Sequence, residues 1–141
     1  MKKIADVMTH GAELTGPDAT IAEAARKMAA EDVGFLPVGE NDRMVGMITD
    51  RDIAVRAVAA GKEPSRTKVR EVMTDRVLYC FEDEDADAAI ANMSKLQVRR
   101  LPVVSRDKRL VGVISIGDLA AKHSAQKAGK ALGSVCAATA H

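Results

Sequence analysis

Val45-Gly46-Met47-Ile48-Thr49-Asp50-Arg51-Asp52 returns as Val111-Gly112-Val113-Ile114-Ser115-Ile116-Gly117-Asp118, and this pair of stretches decides the fold. Upstream, Leu36-Pro37-Val38 returns as Leu101-Pro102-Val103 and Asp6-Val7-Met8-Thr9 as Glu71-Val72-Met73-Thr74, both at an offset of 65. The opening pair is offset by 66, which places one inserted residue in the loop between Val103 and Leu110, where insertions are tolerated. A pattern repeated at one period marks the unit of folding before any element is assigned.

Outward from those stretches, each copy reads alike. An apolar run (Val33 to Val38, Val98 to Val104), a polar turn (Gly39 to Arg43, Ser105 to Arg109) and a second run (Met44 to Thr49, Leu110 to Ser115) predict a hairpin. Pro37 and Pro102 suit strand ends or edges. Before the hairpin, Ile21, Ala24, Ala25 and Met28, like Ala86, Ala89, Ile90 and Met93, fall on one helix face. Thr20 and Glu23 stand in capping-box positions. A second helix begins near Asp50 or Ile116. The fold class is therefore α/β (α+β): two β-α-β-β-α repeats, 1–64 and 65–125, joined through a Gly-, Pro- and Ser-containing linker at 61–67. Residues 126–141 read as a helical extension fraying into a tail. About 60 residues bury little core alone, so the repeats are expected to pack around a pseudo-two-fold axis with a cleft between matching edges.

Composition narrows the function. The 141 residues are 47% hydrophobic and 29% charged, a globular balance. With 21 basic against 20 acidic side chains and three aromatics (Phe35, Tyr79, Phe81), the chain lacks both the field and the stacking platform that nucleic acids require. No leader-like or span-length apolar stretch occurs, so a cytoplasmic protein without a membrane partner is expected. Cys80 and Cys136 have no metal or redox spacing and read as reduced thiols. His10, His123 and His141 are scattered, and no phosphate-loop, dinucleotide or zinc-hydrolase motif is present. No catalytic or metal residue is therefore assigned. The acidic run Asp83, Glu84, Asp85, Asp87 suits the positive end of a helix dipole better than a cation.

The order DVMT, LPV, V-G-x-I-T-x-x-D, repeated once, resembles a tandem pair of CBS domains over residues 4 to about 124. In particular the chain resembles the standalone two-CBS proteins of the bacterial hypoxic-response type. That resemblance implies a non-enzymatic regulatory module with no obligatory cofactor. Its expected ligand is adenosine-containing (AMP, ADP, ATP or S-adenosylmethionine) and lies in the cleft between the repeats. The family's [ST]-x-x-D motif falls on Thr49 and Asp52 and on Ser115 and Asp118, implying hydroxyl contacts to phosphate and carboxylate contacts to the ribose diol. The base then needs an apolar wall, expected from Val33, Gly34, Leu36 and Pro37 or from Val98, Leu101 and Pro102. Arg51 lies inside the first motif, and Arg99 and Arg100 replace Gly34 and Phe35 in the second copy; all three are phosphate candidates.

The residues alone support two readings of the motif. A hydroxyl that opens a helix exposes N–H groups able to hold an anion, and a carboxylate one turn on can accept two hydroxyl donors. The same spacing is a capping box that binds nothing. Arg99 and Arg100 likewise read either as phosphate contacts or as solvated strand-end residues. Leu14 and Tyr79 stand where the family often has a small polar residue, so Tyr79 either stacks on a base or fills the pocket. Residues 1–64 hold 8 basic and 11 acidic side chains and residues 65–141 hold 13 and 9, so two unequal sites are expected, the second preferring phosphate. A homodimer is expected through Ala54-Ala57-Val58 and Leu119-Ala120. The rival reading is a ligand-free dimeric scaffold that signals to an unidentified protein partner.

Overall fold

A computed structural model describes residues 2–11, 13–41, 43–75 and 78–139. Asp42 of the expected turn, and Ala140 and His141 of the expected tail, lie outside the described residues. In chain order the elements are α1 (Ile4–Val7), β1 (Thr9–His10), α2 (Ile21–Glu31), β2 (Phe35–Glu40), β3 (Arg43–Thr49) and α3 (Asp50–Asp52), which continues as a π-helical segment (Ile53–Val58). There follow α4 (Val69–Val72), β4 (Cys80–Phe81), α5 (Ala86–Leu96), β5 (Arg100–Val104), β6 (Leu110–Ser115), α6 (Ile116–Lys122) and α7 (Ala125–Thr139).

Both expected hairpins form. β2 pairs antiparallel with β3 and β5 with β6, each with a register shift at the matching place, Val38/Gly39 and Val103/Val104. The helix stripes also form: Ile21, Ala24 and Met28 are buried on α2, as are Ala86, Ala89, Ile90 and Met93 on α5. Ala25, expected on the buried face, is exposed. The Thr20 capping box is complete, with the Thr20 hydroxyl accepting from the Glu23 N–H at 3.2 Å and the Glu23 carboxylate from the Thr20 N–H at 3.1 Å.

The chain divides into two compact units that do not follow the repeat boundary. One is Glu13–Val77; the other joins Met1–Ala12 to Leu78–His141. Hydrogen bonding by the two Val-Met-Thr segments explains the exchange. Thr9 and His10 pair with Val113 and Gly112 of β6, while the Thr74 N–H donates to the Met47 carbonyl of β3 at 2.8 Å. Each segment thus completes the hairpin of the other copy. Gly46 and Gly112 are the residues that permit it: a Cβ at either would lie 2.5 Å from the Thr74 or Thr9 carbonyl oxygen. The recurring Val-Gly and Val-Met-Thr motifs are two halves of one close backbone approach.

α7 gives the helical extension expected at 126–141, and it packs against its unit rather than fraying through its described core-facing residues. Its Ala128, Ala131 and Val135 are buried in the same cluster as Ile116 and Leu119 of α6 and Ile90 and Met93 of α5. The spacing of three and four residues is helical, but its small side chains give a weak apolar signal. Of the expected dimer surface, Ala57 and Leu119 are completely buried within their own units and Ala120 is half-buried, whereas Ala54 and Val58 are exposed, as is their neighbour Val55.

Candidate functional site

Each unit ends its hairpin in a hydroxyl residue that opens a helix. The Thr49 hydroxyl accepts from the Asp52 N–H at 3.0 Å, and an Asp52 carboxylate oxygen accepts from the Thr49 N–H at 3.0 Å. Ser115 and Asp118 repeat the arrangement at 3.0 and 3.1 Å. Both motifs are therefore closed capping boxes. In each, one Asp oxygen is engaged with backbone while the carboxylate stays half-buried rather than enclosed. The second oxygen of Asp52 lies 3.8 Å from the Arg56 guanidinium, which also donates to the Val72 and Met73 carbonyls at 3.4 Å.

The surroundings of the two boxes differ in charge. In the first, the Asp50 N–H donates to the Gly34 carbonyl at 2.8 Å, and the Asp50 carboxylate packs so closely that a Cβ on Gly34 would sit 2.9 Å from its oxygen. In the second, the matching N–H belongs to Ile116 and donates to the Arg99 carbonyl at 2.8 Å. A carboxylate over a glycine is thus replaced by an isoleucine beside two arginines. Arg51 at the first box is exposed, and its counterpart is Gly117.

A groove of about 330 Å³ opens at the second box. Arg99, Arg100, Ser115, Ile116, Gly117 and Ala120 line it together with Ala125, Gly129 and Leu132 of α7. Of the expected site residues, the fold brings Arg99, Arg100 and Ser115 into this groove. Asp118 caps behind Ser115. Leu36 and Leu101 are buried in the cores of their units, and the adjoining Pro37 and Pro102 are buried as well. Val33 is exposed, and Val98 is half-buried against its unit's core. Sequence reading missed Ile116, Gly117 and Ala120, which occupy readable positions around the motif. It also missed the three α7 residues, for which the repeat offers no signal.

Tyr79 stands edge-on to Phe81, ring centres 5.5 Å apart at 86°, with the Arg106 guanidinium 4.1 Å above the Phe81 ring. Its ring meets a neighbouring side chain. The acidic run is occupied by cations and backbone. Asp83 pairs with Arg106 at 2.8 Å, Asp85 accepts from the Asp87 N–H at 3.1 Å, and Asp87 meets His123 at 2.7 Å and Lys127 at 2.9 Å. The His123 hydrogen bond, with Lys127 beside it, holds the Asp87 carboxyl below its ordinary value; Arg106 does the same for Asp83. Among the described residues no three His, Cys, Asp or Glu side chains gather where they could hold a metal ion. Cys80 is buried and Cys136 exposed, and neither is in a disulfide. Burial, helped by the nearby Glu84 charge, pushes the Cys80 thiol up to about 12. Among the described residues no helix is long and apolar enough to cross a membrane.

Comparison with known proteins places this geometry. The family model of the CBS domain matches residues 4–58 and 69–124. Hypoxic response protein 1 of Mycobacterium tuberculosis is 39% identical over 120 residues, covering 82% of this chain and 80% of that protein. Among solved structures, Hypoxic Response Protein I with two coordinated zinc ions superposes with a TM-score of 0.77 at 34% identity, covering 86% of this chain and 98% of that one. The CBS domain pair of protein MJ0100, in complex with 5′-methylthioadenosine and S-adenosyl-L-methionine, also gives 0.77, at 28% identity and covering 89% and 98%. With two matched copies that span most of its length, the chain belongs to the CBS-domain family.

Proposed function

We propose that this chain is a cytoplasmic, non-enzymatic regulatory module that binds adenosine-containing ligands. Its stronger anion site is the second unit's, at Ser115 with Arg99 and Arg100. The observation that carries the reading is the groove there: about 330 Å³, open, apolar at Ile116 and Leu132 and cationic at its two arginines. That volume falls at the lower end of the range of small-molecule sites. A CBS pair of the same fold binds adenosine-containing molecules, which supports the ligand class. The first unit offers Thr49, Arg51 and Asp52, but Asp50 sets a carboxylate against Gly34 and opposes a phosphate there. In this reading a second copy of the chain is the structural partner, and the regulated protein is a separate one.

A rival has its own support. Both motif carboxylates are already engaged in capping boxes, as a ligand-free dimeric scaffold requires. Calorimetric titration with AMP, ATP and S-adenosylmethionine separates the two. Saturable heat with any of them is the expected result; none at millimolar concentration favours the scaffold.

A further inference from the structure

α7 lies beyond the matched CBS residues, which end at 124, yet it faces two ways. Ala128, Ala131 and Val135 bury one stripe in the core. Ala125, Gly129 and Leu132, at intervals of four and three, form an adjoining stripe that enters the groove beside Ser115 and Ile116. The helix is held from its start. Ser124 caps it by accepting from the Lys127 N–H at 3.2 Å, and Asp87 of α5 bridges His123 and Lys127 at 2.7 and 2.9 Å. At Gly129 the space is open, since a Cβ there meets nothing within 4 Å.

We infer that α7 is the specificity wall of the second site, with Gly129 and Leu132 admitting a nucleoside monophosphate whose base lies against the helix while Arg99 and Arg100 supply the charge for its phosphate. The inference rests on the function proposed above and extends it to a segment outside the repeats. A groove of about 330 Å³ has room for one base, one ribose and one phosphate. Gly129 is the gate for size because any side chain added there projects into the empty space. Leu132, 37% exposed, is the apolar surface that covers the ligand.

The test is calorimetric titration of the full chain with AMP, accompanied by melting curves. Gly129→Phe should weaken AMP binding at one site by about tenfold or more, while Gly129→Ala stays within about twofold of the unaltered chain. Leu132→Glu, which leaves the buried stripe intact and places a carboxylate in the groove, should weaken it by a similar factor. It decides the matter if Gly129→Phe melts at a lower temperature. AMP binding unchanged in Gly129→Phe and Leu132→Glu, with the unaltered chain binding normally, overturns the role of α7 and leaves the proposed function standing. No heat from the unaltered chain with AMP, ATP or S-adenosylmethionine overturns both.

Discussion

At the scale of single residues, glycine and aspartate carry the repeat for different reasons. Gly46 and Gly112 are needed because the partner Val-Met-Thr carbonyl passes where a Cβ would be, 2.5 Å away. Backbone cannot yield there as a flexible side chain would. Gly112→Ala should therefore cost about 1–3 kcal/mol, the usual range for forced overpacking, seen as a shift of the urea midpoint. Gly129→Ala, with open space around it, should cost nothing. For the motif aspartates, loss of the return hydrogen bond to the capping residue's N–H lowers stability by about 0.5–1.5 kcal/mol in either copy. If Asp118 also accepts from a ribose diol, Asp118→Ala should weaken AMP roughly ten- to a hundredfold, and by more than Asp52→Ala. Affinities and melting temperatures of both variants in one buffer decide it, and a larger affinity loss in Asp52→Ala reverses the assignment.

At the scale of elements, the joint between α5, α6 and α7 is open to pH. Asp87 lies near the start of α5, while His123 follows α6 and Lys127 lies in the first turn of α7. The Asp87 carboxyl is held below its ordinary 3.8, first by the His123 hydrogen bond and then by Lys127. A lowered folded value means that the ionised form stabilises the fold above the unfolded value, and that this contribution disappears as pH falls through the folded one. The carboxylate is 46% exposed, so solvent screens the effect and it should be modest. Melting temperatures between about pH 5 and pH 2 should fall more steeply for the unaltered chain than for Asp87→Asn. Equal slopes would show that this joint contributes nothing.

At the scale of the whole molecule, the exposed apolar residues point to self-association. Val55 and Val58, 52% and 62% exposed on the π-helical segment, leave an apolar face uncovered within their unit. The acidic first repeat and basic second repeat supply complementary charge for a second copy. Light scattering should give about twice the mass of one chain at micromolar concentration, and Val58→Asp should shift it toward the single-chain value. A single-chain mass for the unaltered protein would reject the dimer. The wholly buried Ala57 cannot contribute to that face, although its sequence neighbours do.

The residues alone were enough for the two hairpins and the helix starts, because these are local, and for the repeat and the family, because the same local motifs recur in one order. A strand, a cap or a stripe is written in residues two to four positions apart. Thr49 with Asp52 and Ser115 with Asp118 were legible for that reason, as was the contrast between Gly34 and Arg99. Only the tertiary structure decided which Val-Met-Thr segment completes which hairpin, since hydrogen bonds between β1 and β6 join residues a hundred positions apart and either pairing satisfies the same motif. It alone decided that Leu36 and Leu101 turn into the cores. It also placed α7 along the groove at Ser115, because a helix of small residues shows its partner only once the surface it covers exists.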